Sequence, residues 1–225
     1  MKVLVLAILL SVAAVHRVSG RSGGAPLEAC VTLTPQHGGN LPQMTPSPHV
    51  VDLSDFNITK DEDGNLTIYY TPDTMYAITL VATGEGMFSD VFRGFLLQGR
   101  TYADDTVVGT FMAPPLGALY RLSSCARSDG SVTHNSGVGK ENITIYWMSP
   151  SSGTGPIYFG HAFVWRFSTF WADISTMPLL EVGGDNQIPD DDNNQIPDDD
   201  NNQIPDDDIN NQIPDNGNGS AAGQR

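Results

Sequence analysis

Positive charge is scarce in this chain of 225 residues, which carries 11 Lys and Arg against 26 Asp and Glu. The resulting formal net charge of −15 repels phosphate, so we expect no nucleic acid partner. Binding to anionic membrane surfaces is disfavoured for the same reason. The composition therefore does not indicate a protein whose main role is to bind polyanions.

Apolar runs long enough to cross a bilayer are also missing. The longest run, residues 3–15, is interrupted by Ser11 and is shorter than the roughly 20 residues that a transmembrane helix needs. Lys2 precedes it and Val18-Ser19-Gly20 follows it, which is typical of a secretory signal peptide cleaved after Gly20. We expect residues 1–20 to be that signal, and the protein to be secreted and extracellular with no transmembrane segment.

Motifs of known catalytic or metal-binding sites do not occur. The sequence has no His-Glu-x-x-His, no Gly-x-Ser-x-Gly and no phosphate-binding glycine loop. His37, His49, His134 and His161 are 12, 85 and 27 residues apart, so no two lie close enough along one element to share a metal. We expect a protein that is not an enzyme and uses no cofactor. A zinc site assembled from distant residues is the alternative.

Cysteine is limited to Cys30 and Cys125. In a secreted chain such an even pair predicts a disulfide, and two free buried thiols are the alternative. A bridge across so long a loop would stabilise the fold by roughly 4–5 kcal/mol in the loop-entropy model. The order of the two cysteines and Trp147 differs from the Cys…Trp…Cys order of antibody domains.

Short alternating stretches characterise residues 21–184, which we predict to be one domain. In residues 142–147 the odd positions are apolar and the even positions are Asn, Thr and Tyr; residues 76–82 alternate in the same way. Turn signals such as Asp63-Gly64-Asn65 separate these stretches. About seven to nine short strands with such breaks predict an all-β protein, an antiparallel β-sandwich.

Three N-x-[ST] sequons, at Asn57, Asn65 and Asn142, fall in or beside predicted strands. Asn65 and Asn142 occupy the polar phase of their strands, so that a glycan would point to water. We predict these three asparagines as glycosylation sites. The alternative is that the sequons arise by chance in a chain rich in Thr and Asn.

Two acidic turns, Asp61-Glu62-Asp63 and Asp104-Asp105, offer carboxylates that calcium prefers. Neither has the alternating ligands and central glycine of an EF-hand loop. We interpret them as ordinary solvated turns, with calcium ligation as the alternative.

The last forty residues repeat the pentapeptide Asn-Gln-Ile-Pro-Asp four times, with Ile at 188, 196, 204 and 213. One Ile per repeat cannot bury enough surface to offset chain entropy, so we predict residues 185–225 to be a disordered acidic tail. Its clustered carboxylates would bind calcium or mineral weakly and diffusely, and a solubilising spacer is the alternative. The clustered residues are Asp190, Asp191, Asp192, Asp198, Asp199, Asp200, Asp206, Asp207 and Asp208.

Several ordered stretches together resemble the reeler (reelin) domain family. They are Gly24-Ala25-Pro26 with Cys30, Thr34-Pro35-Gln36-His37-Gly38, Arg93 to Arg100, Val132 to Ser136, and Lys140 to Thr144 followed by Trp147. The likeness spans roughly residues 24–175, with small secreted insect-type defence proteins as the nearest variants. It implies an immunoglobulin-like β-sandwich, an extracellular location and a role in innate immunity.

Two functions are compatible with the resemblance and the tail. The first is a non-enzymatic defence protein that recognises microbial surface glycans or lipopolysaccharide, or supports haemocyte aggregation. The alternative is an extracellular or biomineralisation matrix protein whose Asp-rich tail engages calcium or mineral.

Overall fold

Twelve strands and one short helix form residues 22–188, the part of the chain that the computed structural model describes. The helix, α1, is Ala29–Thr32. The strands are β1 (His49–Asp52), β2 (Asn57–Lys60), β3 (Leu66–Tyr70), β4 (Met75–Ala82), β5 (Gly94–Thr101), β6 (Thr110–Phe111), β7 (Tyr120–Ser123), β8 (Ser131–His134), β9 (Asn142–Met148), β10 (Ile157–Arg166), β11 (Thr169–Ser175) and β12 (Leu179–Glu181). They outnumber the seven to nine expected because strands as short as β6 carry no periodic signal.

The smaller sheet has four antiparallel strands in the order β1-β4-β9-β6. Strands β4 and β9 pair from Met75 with Met148 to Val81 with Asn142. Their burial alternates as predicted, because one face packs on the core and the other meets water.

The larger sheet runs β2-β3-β12-β10-β5-β8-β7, and β11 also pairs with β10. All its pairs are antiparallel except β12 with β3, which is parallel. The all-β sandwich is therefore confirmed, with one parallel pair that the alternation alone did not predict.

The main core lies between the two sheets and is rich in aromatic rings. Trp147 of β9 meets Phe159 of β10 edge to face, with ring centroids 4.9 Å apart. Gly109, at φ +69°, passes so close to this indole that a Cβ there would lie 2.1 Å from its ring. Only glycine fits that position, since the backbone conformation and the contact both exclude a side chain.

A buried carboxylate fixes the end of the domain. Glu181 of β12 is 1% exposed. One of its oxygens accepts hydrogen bonds from the Ser152 hydroxyl (2.9 Å) and the Gly153 amide (2.8 Å). The other accepts from the Gly155 amide (2.9 Å) and the Tyr70 hydroxyl (3.2 Å). Burial alone would raise the pKa of Glu181, but these four donors outweigh it and the pKa is lowered.

Hydrogen bonding continues just past the predicted boundary at residue 184. The side chain of Asn186 accepts from the Glu181 amide (2.7 Å) and donates to the Glu181 carbonyl (3.0 Å). The predicted signal at residues 1–20 lies outside the described residues, as does the tail from residue 189 with its aspartate clusters. Within residues 22–188, no helix is long and apolar enough to span a bilayer.

Candidate functional site

Strand β5 departs from the alternation seen elsewhere, because residues 94–100 are buried on both faces. Phe95 and Leu97 face the main core. On the opposite face Leu96 packs into a second, smaller cluster with residues of α1 and its neighbours. The outer face of the larger sheet is therefore covered here by residues 22–38, which we call the N-terminal arm.

A disulfide holds the arm to the sheet. Cys30 in α1 is bonded to Cys125, just after β7, with the two Cα atoms 5.3 Å apart. This is the bridge that the sequence predicts. Leu33 and Leu96 pack beside it, so the disulfide lies within an apolar contact rather than in solvent.

A buried arginine holds the helix end of the arm. Arg100 is 7% exposed. Its guanidinium donates to the carbonyl oxygens of Cys30 (2.7 Å) and Val31 (3.0 Å), and to the side-chain oxygen of Gln98. Carbonyls at the end of a helix lack intrahelical partners, so the guanidinium satisfies groups that would otherwise be unpaired.

Hydrogen bonds fix the start of the arm over β7 and β8. The Ala25 amide donates to the Thr133 hydroxyl oxygen (2.9 Å), and that hydroxyl donates to the Phe95 carbonyl (2.6 Å). Arg121 donates to the Gly23 carbonyl (2.9 Å). The arm is thus attached at its start and at α1, and the space beneath it forms a cleft.

The cleft has a volume of about 830 Å³ and lies between the arm and strands β5, β8 and β10. Its lining is largely apolar, with Ala25, Pro26, Ala29, Leu33 and Pro35 from the arm and Leu96, Ala162 and Val164 from the strands. Gly94 has no side chain to fill the bottom of the cleft, where a Cβ would lie 3.0 Å from the His134 ring and 3.2 Å from Val164. A concave, mostly apolar site of this size suits a small ligand or part of a larger one.

The charged groups of the cleft are mainly cationic. Arg93 and Arg166 line it, against one carboxylate, Glu28. The Arg166 guanidinium carbon lies 3.4 Å from the centre of the Trp165 ring, a cation–π contact. This local excess of positive charge contrasts with the net charge of −15 of the whole chain.

An imidazole at the mouth adds a neutral polar group. His37 stacks on Phe167 with ring centroids 4.7 Å apart and meets Phe170 edge to face at 5.0 Å. Burial lowers the pKa of His37, opposed by a hydrogen bond that the ring donates to the Phe167 backbone carbonyl. The ring is therefore uncharged at neutral pH, and the positive charge of the cleft comes from the two arginines.

A family model described as "Reeler domain" matches residues 28–186, which include most of the arm and all twelve strands. The chain belongs to the reeler domain family. The "Putative defense protein" of Bombyx mori is 28% identical over 167 residues, which are 72% of this chain and 87% of that protein. Among solved structures, the reelin-N domain of F-spondin aligns with a TM-score of 0.46 and 20% identity, over 64% of this chain and 92% of that one.

A second kind of relative is much longer than this reeler domain. The "Putative ferric-chelate reductase 1" of Danio rerio is 27% identical over 168 residues, which are 74% of this chain but only 26% of that protein. The match thus covers a fraction of the reductase. Family membership and the defence-protein relatives support a non-enzymatic, defence-type role at the family level.

His134 and Asn135, which belong to the family stretch Val132 to Ser136, contribute to the structure beside the cleft. Asn135 does so directly, donating to the carbonyls of Ala118 (2.8 Å) and Tyr120 (3.1 Å). His134 is the last residue of β8 rather than part of a turn, and its Nδ1 accepts from the Phe95 amide at 3.1 Å.

The remaining histidines and the acidic turns are used locally. His49 and His161 are buried. Asp61 accepts from the backbone amide of Asn65 at 2.8 Å, and Asp104 accepts from Thr106 at 3.2 Å. Among residues 22–188, no group of three or more His, Cys, Asp or Glu side chains is placed to hold a metal ion.

Residues important for the cleft were missed by sequence reasoning. Arg93 and Arg166 are 73 positions apart and join one site only because β5 pairs with β10. Lys140 is buried beside the cleft wall, although a lone Lys after a glycine reads as exposed. The one available signal was Leu96, an apolar residue on the outer face of β5 between the core residues Phe95 and Leu97.

Proposed function

We propose that this reeler domain is a secreted defence protein that binds an anionic, partly apolar molecule of a microbial surface in the cleft under the N-terminal arm. The proposal rests on one observation: the cleft combines an apolar floor with two arginines, Arg93 and Arg166, although the chain as a whole is acidic. Lipopolysaccharide has this chemistry, with acyl chains for the floor and phosphates for the guanidinium groups.

Binding alone accounts for such a site. The hydroxyl beside the His134 ring, that of Thr133, donates to the Phe95 carbonyl, and His134 Nδ1 accepts from the Phe95 amide, so both groups have structural hydrogen bonds. Recognition therefore depends on shape, apolar contact and charge. Secretion is supported by the signal-like residues 1–20 and by the Cys30–Cys125 disulfide, a bond that persists in oxidising compartments.

The experiment compares Arg93→Glu/Arg166→Glu with the wild-type protein in binding lipopolysaccharide micelles. We expect at least a tenfold loss of affinity, because two favourable charges become repulsive. Lys60→Glu/Arg127→Glu is the matched control, since both residues are exposed, neither lines the cleft, and the net charge changes by the same amount. Equal losses in both variants would show that net charge, and not the cleft, governs binding.

A second candidate function rests on the aspartate repeat alone. The repeat presents carboxylates in clusters of three, a composition suited to weak multivalent contact with calcium or carbonate mineral. A chain ending at Ile188 separates the two functions. If only the full-length chain slows carbonate crystal growth and neither chain binds lipopolysaccharide, the matrix function replaces the defence function.

Glycosylation at Asn57, Asn65 and Asn142 is part of the proposal. All three side chains are exposed, which supports access by a glycosyltransferase. The Asn65 side chain donates to the Asp61 carboxylate at 3.0 Å, and a glycan on that nitrogen would leave one N–H for this contact. Mass spectrometry of protein secreted from insect cells tests occupancy, and unmodified peptides at all three sites would refute it.

A further inference from the structure

A buried ammonium group lies behind one wall of the cleft. Lys140 is 2% exposed, and its Nζ donates three hydrogen bonds of 2.7 Å each. The acceptors are the carbonyl oxygens of Arg93, Ser136 and Val138. An ammonium has three N–H donors, so every one of them is used.

These three carbonyls belong to two segments that border the cleft. Arg93 and Gly137 both line it, and Gly137 lies so close to the arm that a Cβ there would be 3.3 Å from Ser22. Reciprocal backbone hydrogen bonds between Phe92 and Lys140, at 2.9 and 3.0 Å, align the segments. The ammonium is therefore the group that ties the loop of residues 136–139 to the start of β5.

The charges around this ammonium are few. Burial, and to a smaller extent the positive charge of Arg93, lower the pKa of Lys140 to about 8. Residues 136–139 are Ser, Gly, Val and Gly, which do not titrate. Glu141, the next residue, is exposed, and His134 at the end of β8 is turned to the Phe95 amide.

We propose that the Lys140 ammonium holds this wall of the cleft together, and that the cleft loosens when Lys140 loses its proton. A neutral amine has only two N–H donors, so one of the three buried carbonyls must lose its hydrogen bond. An unpaired buried carbonyl favours an open loop in which water replaces the lost donor. The consequence for ligand binding rests on the proposed function, whereas the loosening itself does not.

The loosening is tested without any ligand by NMR on the full chain between pH 6.5 and 9.5. We expect the Lys140 side-chain carbon signal to titrate with a midpoint of about 8, and the amide signals of Phe92 and Gly137 to shift with the same midpoint. A Lys140 signal that does not pass through a midpoint within this pH range, or loop amides that do not follow it, would overturn the proposal. Lys60, which is exposed, is the internal control for an ordinary lysine.

The binding consequence is tested with lipopolysaccharide micelles at pH 7 and pH 9.5. We expect the wild type and Lys60→Met to bind at least threefold more weakly at pH 9.5, whereas Lys140→Met binds weakly at both values. Arginine side chains stay charged throughout this range, and the amino group that signal cleavage would leave at residue 21 is present in all three proteins. The contrast between Lys60→Met and Lys140→Met therefore isolates the contribution of Lys140. Affinity that is equal at both values, despite a loop that titrates, refutes the coupling to binding. If the wild type binds at neither pH, the proposed function fails, and the NMR titration alone decides the role of Lys140.

Discussion

The outer faces of the two sheets differ in what covers them. On the smaller sheet, Thr144 and Tyr146 of β9 point to water, and the strand alternates strictly between exposed and buried residues. On the larger sheet, β5 is buried on both faces because the N-terminal arm lies over it. Alternation therefore holds where one face is solvated and fails where the chain folds back on the sheet. The failure marks the place where the cleft forms.

The attachment of the arm also differs in kind from the packing between the sheets. The sheets are held by a continuous set of aromatic and aliphatic contacts. The arm instead has one disulfide, the Arg100 hydrogen bonds and a small apolar cluster. Few contacts leave room for a cleft between the arm and the sheet, whereas the aromatic core between the two sheets is closely packed.

Removing the disulfide should have the largest effect, because it weakens the attachment of the arm and leaves the packing between the sheets in place. We expect Cys30→Ala/Cys125→Ala to lower the free energy of unfolding by about 4 kcal/mol, because the unfolded chain loses a long closed loop. Denaturant unfolding measures the loss. Amide exchange should also become faster in the arm while the β4–β9 pair stays protected. An arm that remains protected would show that the apolar cluster alone retains it.

The second largest effect is expected from shortening a side chain on the outer face of β5. Leu96→Ala should cost about 3 kcal/mol, as for a core leucine, although its side chain points away from the main core. Thr144→Ser, at an outward position in the middle of the other sheet, keeps the hydroxyl contact with Thr79 and the sequon of Asn142, and should change stability by less than about 0.5 kcal/mol. Equal effects of the two substitutions would abolish the distinction between the two outer faces.

Acid should affect the two sheets alike, because each contributes one buried histidine. Burial lowers the pKa of His49 and His161 to about 4, opposed by the charge of Asp90 and by a hydrogen bond to Phe159 respectively. In the unfolded chain both histidines have ordinary pKa values near 6.5. Between about pH 4 and pH 6.5 the unfolded chain therefore binds more protons than the folded chain. Stability is therefore full above about pH 6.5 and falls as pH drops toward 4, by about 2 kcal/mol for each histidine.

The variant His49→Phe isolates one half of this acid effect. Neither ring nitrogen of His49 has a hydrogen-bond partner among the described residues, and the ring packs on Phe92, Phe163 and Trp171. Phenylalanine should therefore preserve stability at pH 7 and reduce the loss at pH 4. Thermal unfolding at the two pH values measures both. An unchanged acid sensitivity would mean that folding does not lower the pKa of His49.

The smallest effect is expected at Tyr146, which is 49% exposed on the smaller sheet. Tyr146→Ala should change stability by less than about 0.5 kcal/mol and leave lipopolysaccharide binding unaltered. Binding isotherms alongside those of the Arg93 and Arg166 variant check this. A clear loss of binding would move the ligand site from the arm-covered face to the solvated one.

Sequence patterns predicted the strands that face water on one side. Strands β4 and β9 follow the two-residue period over their whole length, since a half-buried strand must alternate. The short strands β6 and β12 were not predicted, because two or three residues show no period. The parallel pairing of β12 with β3 depends on how the chain returns to the sheet, which local pattern does not encode.

By itself, the order of residues determined the class of this protein. Alternation, turn residues, two cysteines and the family stretches sufficed for a disulfide-linked β-sandwich of the reeler type, because each of these is local or depends on residue identity. Tertiary structure alone decided the cleft. Arg93 and Arg166 meet through the pairing of β5 with β10, and Lys140 is buried by a loop that no pattern marks. Long-range pairing and the path of the arm place these charges, and both depend on the whole fold.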